Sequence, residues 1–229
     1  MRGLWTLTKL AALLIIIIVV ATNTQVSCTT SVGNIPAGPA AWPEPTASQT
    51  PAPPGYRVIG SAEHGIWITV PERWTTVSMT DGDPKKAMDS AGVPHSYRAT
   101  VESVLQASPV GQSLASFDIT PESSSDRFLS TVVGFCVPVD GRPGAGQLTE
   151  FIKEATKNES IQLGTIAVQS GAAVQGTIGV SYTFAIGDHS GSGVVIAVPA
   201  SGRMCLVSAI GGTKHGPELS GIAHSAWAV

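Results

Sequence analysis

Gly65-Ile66-Trp67-Ile68-Thr69-Val70-Pro71-Glu72-Arg73-Trp74 is the stretch on which the fold turns. Ile66, Ile68 and Val70 alternate with Trp67 and Thr69, a period of two that belongs to a strand with one buried face. Pro71 has no N–H for a ladder and suits a strand end. Pro71-Glu72-Arg73 is therefore expected to turn the chain, and Trp74 to Met79 to return as the second arm of a hairpin.

Downstream of this hairpin the pattern changes. Asp83 before Pro84 predicts a helix start, with Asp83 as N-cap, and Gly92 predicts its end. Tyr97, Val101, Val104 and Leu105 fall at helical spacing and form one apolar stripe. Strands are expected over 115–119 and 131–139. Leu148, Phe151, Ile152 and Ala155 make a third stripe, with Glu150, Lys153, Glu154 and Lys157 on the wet side. After Ser160 the chain reads as strands at 165–169, 176–187, 192–199 and 203–210, with turns at Asp188–Gly191 and Ala200–Gly202. Leu219, Ile222, Ala223 and Trp227 again show helical spacing, which predicts a closing helix over Glu218–Val229. An antiparallel sheet must cover its apolar faces, and three or four helices can do so. The expected class is α+β, a mostly antiparallel sheet flanked by helices in a sandwich.

Upstream, the chain opens as an export signal. Arg2 and Lys9 precede an unbroken apolar run, Leu10 to Ala21, followed by Thr-Asn-Thr-Gln and then Val26-Ser27-Cys28. The run has 12 residues, short of the roughly 20 that a membrane-spanning helix needs. Val-Ser-Cys resembles a bacterial lipobox, in which the Cys is acylated and the signal is cut before it. Gln25 departs from that pattern, which leaves cleavage after Ala21 or an uncleaved anchor as alternatives. The expected organisation is a signal at 1–27, an acylated Cys28 with a Pro-rich tether at 28–55, and one domain at 56–229. The tether holds Pro36, Pro39, Pro43, Pro45, Pro51, Pro53 and Pro54. Such a composition favours extended polyproline II over a packed core. The 22 residues from Asn34 to Gly55 would reach about 70 Å at about 3.1 Å each, enough to lift a domain off a membrane.

Losing residues 1–27 removes Arg2 and Lys9 and no acid, so the formal charge moves from −3 to −5. No basic cluster invites nucleic acid. Three cysteines are present. With Cys28 in the anchor, Cys136 and Cys205 remain as a pair in an oxidising compartment, where a disulfide persists. The alternative is two buried thiols acting as small hydrophobes.

No motif for catalysis is visible. Asp188, His189 and Ser190 are consecutive, and consecutive side chains diverge too far to form a triad. His64, His95, His215 and His224 are too widely spaced for a ligand motif and are expected in solvated loops. No glycine run matches a phosphate loop, so no cofactor and no metal is expected. Trp67 is the side chain to watch, because it lies opposite Ile66, Ile68 and Val70. With helices on both sheet faces it is core. With one face open, Trp67 and Thr69 line a groove or docking patch.

The strand Gly65–Pro71 with Trp74, the string Gly179-Val180-Ser181-Tyr182-Thr183-Phe184 and the ending Ile222-Ala223-His224-Ser225 resemble the PsbP/Mog-type domain. The likeness runs over about residues 60–229 and is nearest in style to small actinobacterial lipoproteins of the LpqN kind. The resemblance implies an envelope-facing binding or adaptor module and supplies no catalytic residues. The expected function is a lipid-anchored, non-catalytic protein on the outer face of the plasma membrane that docks another envelope protein; the alternative is a carrier of an apolar small molecule or lipid, and an enzyme is the reading least favoured. A continuous cavity under the sheet would favour the carrier, and a cleft with convergent ionisable groups the enzyme.

Overall fold

The computed structural model describes residues 51–79, 82–107, 113–120, 128–138, 144–156, 161–169, 176–200 and 203–228. The expected signal, Cys28 and the tether up to residue 50 lie outside the described residues.

Two antiparallel sheets organise the domain. The smaller joins β1 (Tyr56–Ser61), β2 (Ile66–Pro71) and β10 (Trp227–Ala228) in the order β1-β2-β10. The larger runs β3-β4-β5-β9-β8-β7-β6, from β3 (Thr75–Met79), β4 (Ser113–Phe117), β5 (Thr131–Pro138), β6 (Ile161–Gln169), β7 (Ile178–Ile186), β8 (His189–Ala200) and β9 (Arg203–Gly212). Helices α1 (Pro84–Ser90), α2 (His95–Ala107) and α3 (Ala145–Thr156) supply Met88, Val101, Val104, Leu105, Leu148 and Ile152 to the core on one face of the large sheet. The small sheet and α4 (Gly216–His224) build the core on the other face, with Ile66, Ile68, Val70, Trp74, Leu219 and Ile222. This is the α+β sandwich that the sequence predicts.

The central strands explain themselves. Apolar side chains on both faces of β8 and β9 are buried, so Val194 to Val198 and Met204 to Val207 read as continuous apolar runs rather than alternations. Gly134 on β5 lets the layers close: a Cβ there would stand 2.8 Å from the Ile68 side chain. The Asp83 carboxylate accepts from the Lys85 and Lys86 amides at 2.9 and 3.3 Å, as its N-cap role requires. Lys153 and Glu150 form the expected i,i+3 pair at 2.7 Å.

Three expectations fail. The opening hairpin is not Gly65–Val70 with Trp74–Met79. β2 pairs with β1 in register Ile59↔Ile68, while β3 pairs with β4 in the other sheet. The chain steps from one layer to the next at Glu72–Trp74, pinned by the buried Trp74 and by the Arg57 guanidinium, which donates to the Trp74 carbonyl at 2.8 Å. β1 shows little apolar alternation, since only Ile59 of its six residues is buried.

The second failure is the closing helix, which stops at His224; Trp227 belongs to a strand. The third is the turn at Asp188–Gly191: His189 and Ser190 already pair with Ile186 and Ala185, leaving Gly187 and Asp188 as the turn, with Gly187 at φ 60°. β6 also begins earlier than expected, at Ile161.

Candidate functional site

The small sheet turns one face inward and one outward. Ile59, Ile66, Ile68 and Val70 face the core. The alternation that buries them sends Trp67 and Thr69 to the outer face, both half-buried. Register places Val58 opposite Thr69, and both Gly60 and Trp227 beside Trp67. The Trp67 and Trp227 rings stack with centroids 6.2 Å apart and planes 9° from parallel. Val58, on the edge strand β1, is 40% exposed. Gly60 makes the Trp67 position feasible: at φ 135° a Cβ would stand 3.0 Å from the Trp67 ring and 2.2 Å from the Ile66 carbonyl oxygen.

Ser225 holds the assembly together. Its hydroxyl oxygen accepts from the Thr69 amide at 2.9 Å, and its hydroxyl donates to the Ile222 carbonyl at 2.6 Å. One side chain thus ends α4, satisfies the β2 backbone beyond the reach of the short β10, and turns the chain so that Trp227 meets Trp67. The two expected site residues, Trp67 and Thr69, lie together on this ledge. Sequence reading missed Trp227, because its spacing from Ala223 also fits a helix.

A second cluster overturns the expectation of solvated histidines. His64 is 3% exposed. Its Nδ1 lies 2.7 Å from Ser61 Oγ and its Nε2 lies 3.1 Å from Ser78 Oγ. Burial pulls its pKa below the ordinary 6.5, with the nearby Glu63 carboxylate opposing. The imidazole is a neutral clasp between the β1–β2 turn and β3. A Ser–His pair of this kind resembles a nucleophile and base, but Nδ1 faces a hydroxyl. In a triad a carboxylate stands there to stabilise the imidazolium.

The remaining histidines do not converge. His189 packs edge-on against Phe128 at 6.4 Å. His215 faces Glu218 at 3.7 Å, and His224 Nδ1 sits 2.8 Å from the Ser220 carbonyl oxygen. Among the described residues no three His, Cys, Asp or Glu side chains are grouped to hold a metal ion. The buried Asp118 accepts from the Thr120 hydroxyl at 2.8 Å and lies 3.6 Å from Arg73, which also bonds Glu218 at 2.8 Å. That group ties the layer crossing to α4. A cleft of about 230 Å³ opens between β3 and α1, lined by Thr76, Ser78, Asp83, Lys86 and Ser90 among others. Its wall mixes these polar groups with Met79, Ala87 and Ala91.

Cys136 and Cys205 form a disulfide between directly paired residues of β5 and β9, with Cα atoms 3.9 Å apart.

No family model matches the chain, and no curated protein matches it. Among solved structures it is similar to the solution structure of the cyanobacterial PsbP, CyanoP, from Synechocystis. The identity is 8%, over 88% of this chain and 99% of that one, with a TM-score of 0.44. At that score the likeness carries nothing about function, and the α+β class rests on the sheets and helices themselves.

Proposed function

We propose that the chain is a lipid-anchored envelope protein of the LpqN kind, whose domain docks another protein without catalysing a reaction. The observation that carries this reading is the Trp67–Trp227 pair. Two stacked indoles stand half-buried on the outer face of a sheet whose other face already fills a core. Aromatic side chains with a rigid mount and low entropy cost are the usual anchors of protein interfaces. The anchor part of the reading is supported by Arg2, Lys9, the apolar run and Val26-Ser27-Cys28. An acylated Cys28 with two or more chains gives stable membrane attachment, whereas a single chain gives only marginal binding.

Affinity capture of the intact protein from membranes tests the docking site. Trp67→Ala and Trp227→Ala are expected to lose the captured partner while retaining the native circular dichroism spectrum. Undiminished capture by both variants would put the site elsewhere. Intact mass of the membrane-extracted protein checks the anchor: a lipid-modified terminus at Cys28 is expected, and an unmodified terminus at Thr22 rejects it.

A further inference from the structure

The way the chain enters the domain bears on what covers the aromatic ledge. Tyr56 N–H donates to the Pro53 carbonyl at 3.0 Å, with Pro54 at the second position of the turn and Gly55 at the third, φ 79°. This is the type II arrangement: proline fixes the first central residue, and only glycine readily takes the second. Glu72 N–H donates to the Gly55 carbonyl at 3.0 Å, so the turn is fastened to the end of β2. A β-turn reverses the chain. Followed upstream from Pro53, Ala52 and Pro51 are therefore aimed back beside β1, toward its Gly60 end. Ala52, the residue just upstream of the turn, is half-buried.

What lies further upstream is proline: Pro36, Pro39, Pro43 and Pro45, with Pro36-Ala37-Gly38-Pro39 in P-x-x-P spacing. Polyproline II segments dock on surfaces lined by Trp and Tyr, where their preformed shape keeps the entropy cost low. The outer face of the small sheet offers that lining, with Tyr56 and Val58 leading to Trp67 and Trp227. The distance is short. Tyr56 to Gly60 is about 13 Å at about 3.3 Å per residue. The nine residues from Pro45 to Pro53 span eight steps, about 25 Å at about 3.1 Å each.

We infer that the proline segment Pro36–Pro45 of this same chain is the resting occupant of the Trp67–Trp227 ledge, and that a partner must displace it. This rests on the ledge being a binding surface. Attachment in cis supplies an effective concentration in the millimolar range for a linker of this kind, so weak docking suffices. The tether is then a reversible cover as well as a spacer.

Hydroxyl-radical footprinting of the full chain tests this, with oxidation of each tryptophan read by mass spectrometry. The comparison is a variant carrying Pro36→Ser, Pro39→Ser, Pro43→Ser and Pro45→Ser. Oxidation of Trp67 and Trp227 should rise several-fold in the variant, while the core Trp74 stays protected and reports that the fold is intact. Unchanged oxidation of both ledge residues overturns the inference. So does wild-type protection that fades on dilution, which would assign the cover to a second copy. Partner capture lost in Trp67→Ala together with an unchanged footprint would leave the docking surface standing and remove only its cover.

Discussion

Trp67 and Trp74 are seven residues apart in the chain and have opposite roles. Trp74 is 1% exposed and locks the step between the two sheets. Trp67 is half-buried and has one stacking partner. Removing a fully buried indole costs about 3–5 kcal/mol. Truncating one that loses a stacked pair and partial burial should cost about 1–2 kcal/mol. Urea unfolding of Trp74→Ala and Trp67→Ala should therefore rank them in that order. Near-equal losses would make Trp67 a core residue. Gly60 gives a companion test. Gly60→Ala places a Cβ against the Ile66 carbonyl at φ 135°, and strain of this kind costs about 1–3 kcal/mol. The same measurement should show that loss, and no loss would mean that the edge strand relaxes freely.

His64 adds a pH dependence with a definite sign. Its folded-state pKa lies below the ordinary 6.5 because burial disfavours the charged form. Below pH 6.5 the unfolded chain takes up a proton that the folded chain refuses, so stability falls with acidification until the folded pKa is passed. His64→Gln should flatten this part of the stability profile, whatever it does to stability at pH 7.5. A slope unchanged in the variant would assign the acid sensitivity to other groups.

At the scale of elements, pairing decides what periodicity leaves open. The alternation of Ile66, Ile68 and Val70 identified a strand and its buried face. It could not identify the partner strand, because ladder bonds are made by the backbone and carry no side-chain signature. The weakly patterned β1 took the place that the better-patterned Trp74–Met79 segment was expected to hold. The α4–β10 boundary is a similar case. Trp227 fits a helix by spacing, yet Ser225 captures the Ile222 carbonyl and the Thr69 amide and ends the helix.

The Cys136–Cys205 bond also belongs to this scale. It joins β5 to β9 near the middle of the large sheet, across 69 residues of sequence. In the chain-entropy model a loop of that length stabilises by about 4 kcal/mol. The double variant Cys136→Ala, Cys205→Ala should lower the denaturation midpoint accordingly. A change below about 1 kcal/mol would mean that the paired strands already restrict the unfolded chain.

For the whole molecule, two buried layers flank the large sheet and one aromatic face is left outside. Stability should therefore reside in the domain from Pro51 onward. Deleting residues 29–50 removes at most a cis contact worth less than about 1 kcal/mol, or about 2–4 °C for a domain of this size. Calorimetry should find a shift of no more than a few degrees, and a larger one would make the tether part of the core.

The sequence by itself determined the class of fold, most of the strands and helices, the buried face of β2 and the cysteine pair. Each of these is written in local periodicity or in composition. Tertiary structure alone decided that β2 joins β1, that His64 is buried, that Trp227 stacks on Trp67 and that the small sheet turns this face away from the core. These depend on contacts between residues far apart in the chain, such as Thr69 with Ser225, 156 positions away. Packing selects among partners that local pattern leaves equivalent.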